Sequence, residues 1–252
     1  MKDSSSFQNS RNSADSYFLW RKQRSLSAIK RVDSIRSIKR LEILDVGCGY
    51  GSLMSNLLEK GANVTGVEVD QISFEFAKKF LKKDSKAKIV LVKDERLPFK
   101  KNSFDIIFLF DVIEHVNNPS LTMNECYRVL KPGGIIYIEF TPYYSIVGHH
   151  LYDFAKWPIH ILPEKYIKKV VYTKKIKTFC SPDHLWGVFK SLNKIKISEF
   201  QKLAQKFTTI EEKFVIKYPG LFEVNIPLLN FLGPFKDFLT FSFQGIYRKD
   251  TE

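Results

Sequence analysis

ILDVGCGYG, residues 43–51, is the stretch from which the fold can be read. Three apolar residues, Ile43, Leu44 and Val46, surround one acid, Asp45, and glycines follow at alternate positions, Gly47, Gly49 and Gly51. An apolar run that breaks into glycines is a buried parallel strand turning sharply into a helix. Glycine accepts φ > 0 and lets a ligand approach main-chain N–H groups closely. The helix that follows aims its N-terminus at whatever sits on the loop.

Working outward, the strand–helix unit repeats. A strand over about 42–46 leads into a helix over about 51–60, with Gly61 as its C-cap. NVTGVEV (63–69) is a β-branched second strand, and QISFEFAKKFLKK (71–83) an amphipathic helix with Ile72, Phe76 and Phe80 on one side. KIVLV (88–92) is a third strand, and FDIIFLF (104–110), the most apolar, is central. A helix over 117–130 has Pro119 near its start; KPGG (131–134) ends it, and IIYIEF (135–140) is strand five. Strands alternating with helices make a doubly wound parallel α/β sheet.

Residues 141–197 break this rhythm with Tyr143, Tyr144, His149, His150, Tyr152, Trp157, His160, Trp186 and several prolines, and read as an insertion capping the open end of the sheet. A helix over 197–207 with Ser198 as N-cap, and strands over 207–218 and 238–249, complete the domain. The apolar, proline-broken stretch between those strands packs against the sheet. At the other end, residues 1–14 are polar and residues 15–38 helical. Phe18, Leu26, Ile29, Val32 and Ile35 form the inner face of that helix, and Arg21, Lys22, Arg24, Lys30 and Arg31 the other. It reads as a helix packed on the domain, with a lid as the second reading. The organisation expected is an N-terminal arm and basic helix over 1–40 and one α/β domain over 41–252 containing the cap over 141–197.

Composition narrows the class. Three widely spaced cysteines among 252 residues argue for a reducing compartment, here the cytoplasm, and against a disulfide framework. The N-terminus has no apolar signal core, and no apolar run reaches a membrane span of about 18 residues. The charge of +13 is uneven: +7 over residues 1–40, −1 over 41–140 and +7 over 141–252. Basic flanks attract phosphate-bearing partners, yet lysine is abundant throughout the chain, so nucleic acid is not the expected partner.

Acids at successive strand ends carry the chemistry. The glycine spacing is G-x-G-x-G with an acid two residues ahead, unlike the G-x-G-x-x-G turn that meets a pyrophosphate. An acid there suits an ammonium or a sulfonium. Glu68, about 20 residues past the loop, can accept from both hydroxyls of a ribose, with Asp70 as competitor. Asp94, backed by Glu95, offers an acceptor to an adenine amino group, and Asp111 follows the fourth strand, where ligands collect.

Taken together, ILDVGCGYG (43–51), GVEVD (66–70), LPFKKNSFDIIFLFDVIEHV (97–116) and RVLKPGG (128–134) resemble the class I S-adenosylmethionine-dependent methyltransferases, in the type 11 group that acts on small molecules. The resemblance implies a seven-stranded Rossmann-like sheet whose last strand is antiparallel and inserted between the fifth and sixth. It implies that Gly47, Gly49 and Gly51 pass under the methionine part of S-adenosylmethionine and that Asp45 fixes the loop and the amino group. Glu68 would hold the ribose, Asp94 the adenine, and Phe110 and Asp111 would flank the methionine end. Many relatives have an extra residue before LPF; DERLPF is compact, which leaves Glu95 or main chain as the other adenine contact.

The expected reaction is methyl transfer to a small or lipid-like acceptor, oxygen favoured. Catalysis there is mostly alignment and exclusion of water. His115 is the candidate general base, set against the plainer reading that Glu114-His115 orders the loop. Asp111-x-x-Glu114-His115, with His149, His150 or His160, also resembles the acid-acid-His set of some metal-dependent O-methyltransferases. Asp111 is shorter than the glutamate usual there, and no metal is expected. PYYSIVGHHLYDFAKWPIHIL (142–162) is the expected acceptor wall. Peripheral membrane contact is a further expectation, weighed for the basic helix over 15–38 and the apolar stretch over 219–235. The alternatives are an RNA or tRNA methyltransferase using the basic flanks, and a non-catalytic cofactor-binding module.

Overall fold

A computed structural model of the chain describes residues 13–82, 84–151, 154–155, 157–175, 178, 180–216, 224–225, 232–233 and 235–251. Helix α1 (Ala14–Ile35) precedes the repeating units β1 (Glu42–Val46), α2 (Ser52–Glu59), β2 (Asn63–Glu68), α3 (Gln71–Leu81), β3 (Ala87–Leu91), β4 (Phe104–Phe110), α4 (Pro119–Val129) and β5 (Leu130–Phe140). The cap holds a 3₁₀ turn (Ile159–Ile161) and helices α5 (Glu164–Thr173) and α6 (Pro182–Lys190). The chain returns through α7 (Ile197–Ala204), β6 (Thr208–Ile216), β7 (Val224–Asn225), α8 (Phe235–Leu239) and β8 (Ser242–Arg248).

The strands lie in the order β3-β2-β1-β4-β5-β8-β6-β7. β1 through β5 pair in parallel, and β8 runs antiparallel to both β5 and β6, between which it is inserted. That is the expected seven-stranded arrangement; the two-residue β7 adds an eighth strand at the edge beside β6. Period-two alternation in the central strands feeds two cores. Leu44, Ile107, Leu109 and Ile138 face α4 and α7, joining Met123, Cys126 and Phe200. Ile43, Ile106, Phe108 and Tyr137 face α1 and α2, joining Ile29, Val32, Met54 and Leu57.

Several expected boundaries move. KPGG does not separate α4 from β5. The strand starts at Leu130, and the register shifts between Phe104 and Ile106. Gly133 (φ +70°) donates to the Lys249 carbonyl, and the Lys249 N–H donates to Gly134, so the end of the chain draws KPGG into the sheet. α7 is capped at Lys196 rather than Ser198, because the Glu199 carboxylate turns back to accept from the Lys196 N–H at 3.1 Å. Ile72 does not join the inner face of α3: it is 64% exposed, and Ala77 and Leu81 are the buried residues. The last strand begins at Ser242, with α8 ahead of it. The polar arm (1–12) and most of the proline-broken stretch (217–223 and 226–231) lie outside the described residues.

The arginines on the basic face of α1 are partly buried, while Lys30 stays exposed. Ser25, Ala28, Ile29 and Val32 are buried, while Leu26 and Ile35, assigned above to the inner face, are exposed. The arginines turn toward acids of the sheet: Arg31 to Glu211 at 2.7 Å, and Arg21 and Arg24 to Asp111. Just past the helix, Arg36 reaches Asp105 at 3.0 Å. An acid inside an apolar strand needs a partner, and this segment supplies it.

Candidate active site

The glycine loop is held from both sides. Gly47, Gly49 and Gly51 all take left-handed φ, +66°, +53° and +79°. A Cβ on Gly47 would lie 2.6 Å from Val112 and one on Gly51 2.7 Å from Leu81, so both glycines serve close packing. A Cβ on Gly49 would meet nothing within 4 Å. Gly49 is therefore the position of the loop open to a ligand.

Beside the loop, Asp45 is 2% exposed, and its Oδ2 has no hydrogen-bond partner among the described residues. Burial, reinforced by the charge of Glu68 and opposed by Arg21, pushes the Asp45 carboxyl up to about 8. A carboxylate in such a place calls for a cation. Glu68 ends β2 and is buried. Its Oε2 accepts from Gly49 N–H at 2.7 Å, and its Oε1 from Val69 and Asp70 at 2.8 and 3.0 Å. Three amides orient the group and tie the glycine loop to β2; a carboxylate has about four acceptor positions. Asp70, the competitor, instead caps α3 by accepting from Ser73 N–H at 2.8 Å. Asp94 is exposed and accepts from Arg96 N–H at 2.8 Å, while Glu95 accepts from Asn117 N–H at 2.7 Å near the start of α4.

Phe110 and Asp111 end the central strand under α1. Asp111 takes φ +58° and donates its N–H to the Glu139 carbonyl at 2.8 Å. Its carboxylate binds Arg21 and Arg24 together, and Arg24 also reaches Glu139 at 2.9 Å. Both guanidinium groups lie over the Phe110 ring, at 4.9 and 4.7 Å. Burial acts to raise the Asp111 carboxyl, but the two arginines overcome it and hold it well below the usual range. Tyr17 of α1 meets Tyr50 of the glycine loop edge-on at 5.7 Å, and Tyr50 stacks on Phe76. Burial, followed by the neighbouring Cys180 of the cap, pushes the Tyr50 phenol up to about 12. α1 and the cap thus both reach the glycine loop.

Four histidines, His115 after β4 and His149, His150 and His160 of the cap, form two close pairs. His115 Nδ1 lies 2.8 Å from Ser191 Oγ, and its Nε2 3.2 Å from His150 Nδ1. Ser191 Oγ donates to the Val188 carbonyl, so it accepts from His115 Nδ1–H, and His115 Nε2 accepts from His150. Burial pushes the His115 imidazole down to about 4. Glu114 is buried 3.8 Å from His150, and burial followed by the charge of Asp111 raises its carboxyl well above the usual range. Ligand atoms of Glu114, His115 and His150 lie within 4.8 Å of one another, a spacing that would accommodate a metal ion. Asp111, committed to arginine, is not in that cluster. His149 and His160 stack nearby at 5.6 Å, with Tyr143 edge-on to His160 at 5.1 Å.

Tyr143 and His160 also line a cavity of about 210 Å³ in the cap, with Leu162, Ile167 and Phe189 as apolar walls and Lys190 and Lys194 among its polar residues. Of the residues expected at the site, Asp45, Gly49 and Glu68 come together, and Phe110 and Asp111 adjoin them through Arg21. Asp94 stays in an exposed turn, and His115 sits under the cap. Sequence reasoning missed Arg21, Arg24 and Glu139 as members. The signal available was Glu139 itself, an acid inside IIYIEF.

Residues 44–138 match the family of the methyltransferase domain. The ubiquinone biosynthesis O-methyltransferase of Dechloromonas aromatica is 34% identical over 113 residues, 43% of this chain and 47% of that protein. Its counterpart in Coxiella burnetii is 31% identical over 143 residues, 54% and 58% of the two chains. The chain therefore spans about half the length of the curated relatives it matches. Among solved structures, an S-adenosylmethionine-dependent methyltransferase of Thermotoga maritima superposes with a TM-score of 0.59 at 19% identity, covering 97% of this chain and 98% of that one. One from Aquifex aeolicus gives 0.53 at 13% identity, covering 93% and 97%. At such identities these two likenesses concern the fold.

Proposed function

We propose that this chain, whose residues 44–138 match the methyltransferase-domain family, is a class I S-adenosylmethionine-dependent methyltransferase that transfers a methyl group from that cofactor to an oxygen of a small or amphipathic acceptor. The observation that carries the reading is the buried, unpartnered Oδ2 of Asp45 at the end of β1, on a strand that runs into a glycine loop with open space at Gly49. A ligand ammonium would supply the missing partner, and Gly49 leaves room for the chain behind it. Glu68, oriented by three amides, is suited to a ribose hydroxyl, Asp94 or Glu95 to the adenine edge, and Arg21 to a carboxylate. When bound, the cofactor supplies an activated methyl group on a sulfonium.

The chain's own residues align the acceptor and exclude water. α1 and the cap both reach the glycine loop at Tyr50. His115 is neutral at physiological pH and holds its Nε2 lone pair toward His150. We assign it to accept the hydrogen bond of the acceptor hydroxyl, which enters in place of His150 Nδ1, and to take that proton as the incoming methyl group makes the oxygen acidic, since burial leaves the imidazole too weak a base to remove it beforehand. The cap cavity combines apolar walls with His160, Lys194 and the Lys190–Glu164 ion pair, a lining that suits an acceptor carrying both an apolar body and a polar or hydroxyl group. Oxygen is favoured as the accepting atom because the two curated relatives are O-methyltransferases. We also infer a cytoplasmic setting from the three widely spaced cysteines, which suit a reducing compartment. Among the described residues no helix is long and apolar enough to cross a membrane.

The test is transfer of label from S-adenosylmethionine into a fractionated extract, alongside calorimetry with S-adenosylhomocysteine. Saturable binding and labelling of a small-molecule fraction support the reading. Labelling confined to RNA, or binding without labelling, favours the two alternatives. His115→Gln should lower kcat by about 10²-fold while leaving S-adenosylhomocysteine affinity within about twofold.

A further inference from the structure

The cap presents a face that neither its own core nor the sheet uses. In α5, Ile167 and Val171 turn inward to pack with Leu185 and Phe189 of α6. That choice directs Lys165, Lys169 and Tyr172 outward, with Tyr166 and Lys168 on the flanks. Just ahead of the helix, Trp157 is 51% exposed and Ile161 70% exposed, and Tyr166 within it is 51% exposed. Surface exposure of one large apolar residue is ordinary, but three within ten residues of one turn and helix are not.

The charge around them has one sign. Residues 157–175 carry five lysines and one acid, Glu164, which is engaged by Lys190 at 2.9 Å. The next acid along the chain, Asp183, accepts from the Tyr172 hydroxyl at 2.6 Å. Lys165 and Lys168 lie with their ammonium groups over Tyr166 and Tyr172, at 5.1 and 5.8 Å, so cations and aromatic rings share the surface.

We propose that this face, the 3₁₀ turn and the outer side of α5, docks on the surface of an anionic lipid bilayer. Trp and Tyr settle at the headgroup level because one part of each ring system is apolar and the other polar. Lysines extend their ammonium groups to lipid phosphates while their stems lie on apolar surface. Ile161 enters the acyl boundary. A nucleic acid would satisfy the lysines and stack on Trp157 but would leave Ile161 in water. His160, Leu162 and Glu164, from the same segment, also line the cap cavity, so docking would set that cavity against the lipid from which an amphipathic molecule could enter. The docking itself does not depend on the methyl-transfer reading, because its test measures association alone.

The experiment is flotation of the full chain with phosphatidylcholine vesicles containing either none or about 30% phosphatidylglycerol, at low and high salt. The protein should float with anionic vesicles only and be released by salt. The triple variant Lys165→Glu/Lys168→Glu/Lys169→Glu should bind at least about tenfold more weakly, and Ile161→Ser several-fold more weakly. The control Lys79→Glu/Lys86→Glu/Lys88→Glu, exposed lysines on and beside α3 and β3, should bind as the parent does. All these sites are solvent-exposed, so melting temperatures should stay unchanged. Equal binding to neutral vesicles, equal losses in both triple variants, or no flotation would overturn the proposal. So would salt-sensitive RNA binding without lipid binding, or a dimer broken by Ile161→Ser.

Discussion

Asp45 and Gly49 belong to one strand and its loop but answer to different physics. Asp45 is held with its carboxyl near 8 by burial and by Glu68, so at pH 7 it carries a proton in the free protein. An ammonium arriving at Oδ2 favours the carboxylate, and the proton must leave. Binding of S-adenosylhomocysteine at pH 7 should therefore release about one proton, read from the dependence of the calorimetric enthalpy on buffer. The sign follows: below pH 8 affinity should rise with pH, by up to about tenfold per unit, and level off above it. Asp45→Asn should remove both effects. Among the glycines, Gly47→Ala should destabilise by about 2–3 kcal/mol, because left-handed strain adds to a clash with Val112. Gly49→Ala carries only the strain, about 1 kcal/mol, yet should lower cofactor affinity at least about tenfold because its Cβ enters the ligand's space. Chemical denaturation separates the two variants.

At the scale of elements, α1 is the instructive one. An amphipathic helix with arginines on one face reads as half solvated, and on this chain the reverse holds. Arg24 serves Asp111 and Glu139 together, with its side chain 28% exposed and the carboxylates more deeply buried. Arg24→Met would leave two acids short of a partner, and thermal or urea unfolding should show a loss of about 3 kcal/mol. Asp111→Asn in the same background should recover part of it. Asp111 also sets a pH dependence. Its folded pKa is depressed, so its contribution is present above the unfolded value near 4 and is lost as pH falls through the folded one. Acid unfolding of the parent should be steeper than that of Asp111→Asn. α1 spans more than twenty residues of chain, and its contacts with Tyr50 and Phe80 make it a cover for the glycine loop as well as a brace for the sheet.

For the molecule as a whole, the division of labour is between a sheet with two cores and a cap with a third. The cap cluster of Leu151, Phe154, Ile159, Leu185 and Phe189 is separate from the two that sandwich the sheet. A cavity made there should loosen the cap before the sheet. Phe189→Ala should raise the acceptor KM while S-adenosylhomocysteine affinity changes less than about twofold, at a local cost of about 3–5 kcal/mol that hydrogen exchange would place in α5 and α6. Failure to separate the two affinities would argue that cap and sheet act as one unit.

The sheet was legible in the sequence because local patterns specify it. Alternate glycines demand left-handed backbone whatever surrounds them, and apolar runs such as FDIIFLF are buried on both faces of any sheet they join. The placement of Asp45, Glu68 and Asp111 at strand ends follows from the same periodicity. What only the tertiary structure decided was the pairing between distant charges. Arg21 and Arg24 meet Asp111 across nearly ninety residues, Arg31 meets Glu211 across 180, and Lys249 pulls KPGG into β5 from the end of the chain. Nothing in a helical wheel shows that a basic face will find acids, because that depends on where the helix docks. The cap is a stronger case. His115 and His150 are 35 residues apart in the sequence, and their meeting beside Glu114 depends on contacts made after the chain leaves β5.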